Sequence, residues 1–340
     1  MSKAACLPSP GLEHGKFVRA SGCCARRQDR DALFGISEAP AHLPDVEDRQ
    51  IMQAAPPPLS AYVESWMPGP LVAEDPLSTG PIEALSALLD LPCTAATAGD
   101  PIPPLWHWLY FLTWPAQSDL GDDGHPARGH FLPPLPDRQR MWAGGRCEIA
   151  EPLRLGEPAQ RVSRLSAVTV KHGRAGDMLF VTERREFCQH GRICLVEEQD
   201  IAYRSGRSAS QHPEVVSESA APCPADPWQL SLRPDPALLF RFSALTANAH
   251  RIHYDTPYAR HEEGYPGLVV HGPLLVLLML ELPRRHAPGA QLRSLSYRLR
   301  RPVFSGEHLA ACGTPSGNRA DLRVATDREE QQATAEVIFA

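Results

Sequence analysis

A dense run of polar side chains occupies Ala247-Asn-Ala-His-Arg-Ile-His-Tyr-Asp255. Asn248, His250, His253, Tyr254 and Asp255 can each donate, accept or titrate there, with Arg251 between them. A bend at Tyr265-Pro-Gly follows, and His271-Gly272 then opens an apolar run from Leu274 to Leu280. Histidine titrates near neutral pH, so it can take a proton and return it. A helix starting at Gly272 exposes free backbone N–H groups and the positive end of its dipole. Such donors polarise a carbonyl oxygen and stabilise an enolate. Together the two segments hold the parts for proton transfer beside a thioester carbonyl.

Each residue also has a plainer reading. His250 could simply fix the loop, and Gly272 could serve only a tight helix entry. The pair His250-x-x-His253 could bind a metal, but no third ligand stands in register. Arg298, Arg300 and Arg301 read either as an exposed strand face or as a clamp for a phosphate-bearing ligand. Met141-Trp142 reads as core packing and Gly144-Gly145 as a bend. No G-x-G-x-x-G follows a strand, so the glycines make no dinucleotide loop.

The elements that must carry these groups follow from periodicity. Residues 81–91 place Ile82, Leu85, Leu88 and Leu89 on one helical stripe behind Pro81. The run from His271 to about Arg285 predicts a strongly apolar helix. Arg161 to Val170, Met178 to Glu186 and Ile193 to Tyr203 alternate as strands, with a turn at His190-Gly191. Leu292 to Arg301, Leu309 to Gly313, Asp321 to Thr326 and Ala333 to Phe339 do the same. Pro152-Leu-Arg-Leu-Gly-Glu157 echoes Pro302-Val-Phe-Ser-Gly-Glu307. Helix then antiparallel strands, twice over, is an α+β pattern built by duplication.

Length and composition agree. The 340 residues suit two domains, and 43% hydrophobic residues can bury a large core. A net charge of −6 and a pI near 6.2 give no attraction to nucleic acid or an anionic membrane. No apolar run reaches the roughly 18 to 20 residues of a membrane span. Nine cysteines form no C-x-x-C pair, as expected of scattered reduced thiols in a cytoplasmic protein. Residues 1–55 mix Gly, Pro, Cys, Arg and Asp without periodicity, as in a disordered tail. That tail is either a start preceding a true Met52 or, in a eukaryote, a mitochondrial targeting peptide. The expected organisation is the tail 1–55, a unit 56–210, a Pro-rich linker 211–227, and a unit 228–340 that carries the polar loop.

The loop and the His271-Gly272 entry resemble the MaoC-like hydratase and dehydratase superfamily. Its pattern runs Gly-Asp-x-Asn-Pro-(Leu/Ile/Val)-His-x-Asp, a bend, then His-Gly at the start of a central helix. Phe131-Leu-Pro-Pro, Arg140-Met-Trp-Ala-Gly-Gly145 and His250-Arg-Ile-His-Tyr-Asp255 resemble its hydroxyacyl-thioester dehydratase type 2 and mesaconyl-CoA hydratase branch. The resemblance implies a double hotdog fold over about residues 56 to 340 and addition of water to an acyl-CoA or acyl-carrier thioester. It implies no separate cofactor and leaves a homodimer open. It assigns catalysis to His253 and oxyanion contact to Gly272. His250, Arg251, Tyr254 and His271 fall to substrate binding, with Arg298, Arg300 and Arg301. Asn248 stands where the family has its catalytic Asp, and an amide cannot be a general acid or base. That leaves Asn248 to orient the water and Asp255, His250 or Tyr254 to supply the missing function.

The acyl group expected is a short C5 dicarboxylic enoyl group such as mesaconyl, with Arg140, Arg146 or Arg251 meeting its free carboxylate. Arg251 could instead pair with Asp255. Three other readings stand beside this one: a 3-hydroxyacyl-[acyl-carrier] dehydratase, a thioesterase using Glu281, and an acyl-thioester binder without turnover.

Overall fold

The structure is a computed structural model that describes residues 57–91, 95–136, 138–173, 176–205 and 225–340. The tail and most of the linker named above lie outside these residues. In chain order the elements are α1 (Leu59–Val63), β1 (Leu71–Asp75), α2 (Gly80–Leu88), β2 (Arg138–Ile149), β3 (Ala159–Gly173), β4 (Gly176–Gln189) and β5 (Arg192–Ser205). There follow β6 (Trp228–Leu232), α3 (Pro236–Leu245), α4 (Thr256–His261), α5 (Gly272–His286), β7 (Leu292–Leu299), β8 (Leu309–Ser316), β9 (Arg319–Thr326) and β10 (Ala333–Phe339).

All ten strands join one antiparallel sheet in the order β1-β3-β4-β5-β2-β7-β10-β9-β8-β6. Read inwards from each edge, the two halves have the same connectivity: β1, β3, β4, β5, β2 against β6, β8, β9, β10, β7. The echoed Pro-to-Glu segments sit at matching turns. Gly156 (φ 73°) donates its N–H to Leu77 O at 2.8 Å, and Gly306 (φ 89°) donates to Pro234 O at 2.7 Å. This is the double hotdog, an α+β fold.

The halves differ on their concave faces. In the second half α5 fills the sheet, and Leu274 to Pro283 are buried on every side. Val270 N–H anchors its start to Val303 O at 2.8 Å. The matching bond in the first half runs from Ile102 N–H to Leu153 O at 2.7 Å. There the described residues make only a 3-10 turn, Trp106–Leu109, at the place that α5 takes in the second half. The helix expected over 81–91 is α2, which packs against α3. With no long helix to fill it, the first half keeps a hollow above β3 and β4.

The halves meet where β2 pairs with β7. Gly144 and Gly145 are strand residues at this seam, which corrects their reading as a bend. A Cβ on Gly144 would stand 2.4 Å from Tyr297 O, and one on Gly145 would stand 2.5 Å from Glu198 O. Backbones approach so closely here that only glycine fits. Trp142 packs against the core as expected, beside Trp108 and Tyr297, whereas Met141 is exposed at the hollow, which corrects its reading as core packing.

Candidate active site

Residues 247–255 follow α3 as a self-braced loop. Asn248 N–H donates to Ser243 O at 2.9 Å, and Asn248 Oδ1 accepts His250 N–H at 3.0 Å. Tyr254 donates its hydroxyl to Ala249 O at 2.9 Å. Asp255 caps α4 by accepting Tyr258 N–H at 3.1 Å, so the chain folds back and Val269 can bond Ile252. That return brings Val269 O to 2.7 Å from His253 Nδ1. A carbonyl can only accept, so Nδ1 carries the proton and Nε2 keeps its lone pair.

His253 is 7% exposed, and its ring lies flat on His271 with centroids 3.6 Å apart. His271 Nε2 meets Ser243 Oγ at 2.8 Å, while its Nδ1 is buried with no partner. Burial pushes His253 down to about 4, partly offset by the Val269 bond and aided by the charge of His125. Burial likewise holds His250 and His271 well below the usual imidazole range. His253 is therefore an unprotonated base at neutral pH.

This carries a cost in acid. Unfolded, His253 would bind a proton below about 6.5, whereas folded it refuses one until about 4. The unfolded chain then holds more protons in that window, so stability falls as pH drops from about 6.5 to about 4. His253 alone accounts for about 3 kcal/mol of that loss. Denaturant unfolding across this range should show it, and a flat profile would mean His253 is not buried neutral.

Gly272 starts α5 beside this ring, and a Cβ there would stand 2.4 Å from Leu299 Cδ1. Its backbone lines the cavity with no side chain in the way. N–H groups of a first turn have no partner within the helix, so they can receive an oxyanion.

A second loop, from the first half, was not foreseen. Leu120 and Pro126 form an isolated β-bridge, and Gly121 N–H donates to His125 O at 2.7 Å, closing residues 120–126 into a compact turn. His125 Nδ1 lies 3.0 Å from Asp123 Oδ2. Burial alone would raise the Asp123 carboxyl, but the hydrogen bond and charge of His125 bring it below its ordinary value. Arg251 clasps this loop, giving its backbone N–H to Asp123 O at 2.8 Å and a guanidinium N–H to Asp122 O at 2.9 Å. The His125 ring lies tilted against His250 with centroids 4.1 Å apart, and His250 meets His253 edge-on at 5.5 Å. Four imidazoles, His125, His250, His253 and His271, thus stand in file. Ligand atoms of Asp123, His125 and His250 lie within 4.8 Å of one another, so the group that could hold a metal takes two residues from the first half and His250 from the second, and it leaves out His253, the partner expected from the sequence.

A cavity of about 1500 Å³ joins these loops to the hollow of the first half. Asn248, His250, His253, Tyr254 and Gly272 line it, as do Asp123, His125 and Arg140. Arg300 and Arg301 line it too, and Arg301 also pairs with Glu329 at 3.1 Å. Arg298, Arg251, Asp255 and His271 are not among its lining residues. Arg251 is spent on Asp255 at 2.8 Å and on Asp122, and it covers the Tyr258 ring at 4.2 Å. Arg146 pairs with Glu198 and lines a separate small pocket. Glu281 lies far along α5, 1% exposed, and pairs with Arg284 at 2.6 Å outside the cavity.

Deeper in the hollow, Arg161 and Arg185 line the same cavity. Arg185 is matched by Glu183 at 2.8 Å. Arg161 Nε is buried without a partner, and burial with the nearby Arg185 charge brings this guanidinium down to about 10.

The model of the hydroxyacyl-thioester dehydratase type 2 family matches residues 105–305. Mesaconyl-C(4)-CoA hydratase of Chloroflexus aurantiacus is 46% identical over 263 residues, 77% of this chain and 92% of that protein. The mitochondrial hydroxyacyl-thioester dehydratase type 2 of Schizosaccharomyces pombe is 28% identical over 291 residues, covering 77% of this chain and 95% of that one. Among solved structures, a MaoC-like dehydratase from Phytophthora capsici superposes with a TM-score of 0.59 at 12% identity, over 82% of this chain and 98% of that one. At that identity the likeness shows the fold alone.

Proposed function

The chain belongs to the hydroxyacyl-thioester dehydratase type 2 family, and from that premise we propose that it hydrates a short enoyl-CoA whose acyl group ends in a free carboxylate, of the mesaconyl class, to a malyl or citramalyl type product. Its broader activity is that of a hydro-lyase on acyl thioesters. The observation that carries the chemistry is the tautomer of His253, fixed by Val269 O. Gly272 N–H holds the thioester oxygen. His253 Nε2 takes a proton from water as the water oxygen attacks the β-carbon, and negative charge gathers on the oxygen at the head of α5.

The acyl end is argued from charge. A buried carboxylate needs a cationic or multiply hydrogen-bonded partner. Arg251 and Arg146, both candidates by sequence, are occupied elsewhere. Arg140 lines the cavity close enough for its charge to depress His250, and Arg161 holds an unpaired N–H deeper in. Arg300 and Arg301 at the cavity wall suit the phosphates of coenzyme A.

The size of the cavity and its apolar residues Leu132, Leu135, Met178 and Phe180 favour a second reading, a dehydratase of longer 3-hydroxyacyl chains on an acyl carrier. Loss of thioester conjugation absorbance, followed for mesaconyl-CoA, crotonyl-CoA and a long-chain enoyl-CoA, separates the two. The expected result is a kcat/KM for mesaconyl-CoA about tenfold or more above the others, roughly 1.4 kcal/mol. Preference for the long chain would replace the first reading by the second.

A further inference from the structure

Adding water to an enoyl thioester moves two protons. One leaves the water, and one arrives at the α-carbon. In the superfamily pattern a carboxylic acid accompanies the histidine, but Asn248 occupies that place and its Oδ1 is committed to His250 N–H. Of the groups in residues 247–272, Asp255 is paired with Arg251 and Tyr254 gives its hydroxyl to Ala249 O, and the two imidazoles that line the cavity, His253 and His250, are both held neutral.

We propose that His125, oriented by Asp123, is a second catalytic residue that the first half of the chain contributes, and that it delivers the proton to the α-carbon. The proposal rests on the hydration reading above. Asp123 Oδ2 lies 3.0 Å from His125 Nδ1. A carboxylate placed so fixes the tautomer of an imidazole and stabilises the imidazolium formed when its other nitrogen is protonated. Residues 120–126 are a closed turn clasped by Arg251, so the pair is held rather than waving. His125 and His253 stand on either side of His250, and all three line the cavity with Gly272. The two ends of an enoyl double bond can thus lie between two proton-transfer groups that face different carbons.

In the forward direction the water oxygen bonds to the β-carbon while His253 Nε2 takes one water proton. The π pair moves onto the thioester oxygen, held by Gly272 N–H. As the carbonyl re-forms, the α-carbon takes the proton from His125 Nε2. His253 is left protonated and His125 neutral, and one proton passing from the first to the second through His250 or solvent restores both. The sum is addition of one water with no oxidant or cofactor.

The test compares wild type with His125→Gln, Asp123→Asn and the double variant His125→Gln/Asn248→Asp, using the enoyl-CoA that wild type hydrates best. His125→Gln is expected to lower kcat by about a hundredfold or more with KM little changed, the scale for removing a general acid. Exchange of the α-proton of the saturated acyl-CoA in D2O, followed by NMR, should be lost with it. Restoring the family acid in the double variant should recover turnover by about tenfold or more, which a purely structural loss would not allow. Should His125→Gln not fold, Asp123→Asn keeps the ring and must still slow turnover. Near-normal turnover and exchange in either single variant overturns the proposal while leaving the hydratase reading intact, whereas a wild type that hydrates no enoyl thioester sinks both. Loss of wild-type activity on dialysis against EDTA, regained with zinc, would make Asp123, His125 and His250 metal ligands and would also overturn it.

Discussion

Replacing His253 with alanine is expected to lower kcat by about a hundredfold or more while the protein still folds. The ring is the one group that combines a fixed tautomer, a lone pair on the cavity side and a place beside Gly272. Alanine removes the base but leaves the helix entry and the cavity wall, so substrate should still bind and KM should move little. Because the buried neutral ring is also an acid liability, the variant should lose part of the stability decline between about pH 6.5 and 4 that burial of this ring causes. Steady-state kinetics with circular dichroism would check both arms. Turnover close to wild type would remove His253 from the mechanism whatever its place in the fold.

The largest expected stability change lies away from the chemistry, at Glu197. This β5 side chain has no solvent exposure and accepts from Trp108 Nε1 at 2.6 Å, Gln199 Nε2 at 2.9 Å and His107 Nε2 at 3.3 Å. Burial alone would raise its carboxyl, but His107 first and Arg185 next bring it down to about 2. The carboxylate holds the 3-10 turn at Trp106–Leu109 against the first half of the sheet, where the second half uses α5. Glu197→Ala strands three donors and leaves Arg185 with less compensation. The expected loss is about 3 to 5 kcal/mol in denaturant unfolding, the range for breaking a buried ionic network by removing one partner. Glu197→Gln keeps two acceptor lone pairs and should lose less. A Glu197→Ala protein as stable as wild type would mean that water takes the place of the carboxylate.

Much of this was legible in the sequence because it rests on local periodicity. The strands β3, β4 and β5 alternate, β7 to β10 read as strands as well, and each was expected within a few residues of its observed bounds. The helix α5 announced itself by an unbroken apolar run behind His271-Gly272. His253 was found by its spacing from that entry. The strand β2 was hidden because Gly144-Gly145 break alternation, and the reason for them is the close approach of Tyr297 and Glu198, distant neighbours that no local pattern contains. The 3-10 turn went unforeseen, since nothing local says that one copy of a repeated fold lacks the helix that the other has. Asp123 and His125 were missed for the same cause. Their loop has no periodicity, and its meaning comes from where the other half's loop lies. Arg251 was seen as a candidate for both substrate and Asp255, and the choice between them needed the position of Asp122.

The contact between the two loops has a consequence for how this chain can change. At Gly124, with φ 86°, a Cβ would stand 1.9 Å from Ala249 O. The smallest mutation at residue 124 is therefore forbidden by an atom of the opposite repeat. Once two copies of an ancestral unit interlock in this way, neither can drift, be exchanged for a homologous half or be returned to a self-associating single copy without its partner changing too. Substitutions at 122–125 and at 248–251 should accordingly be inherited as matched sets. A chimera that takes residues 56–210 from one relative and 228–340 from another should fail at this junction before it fails in either sheet.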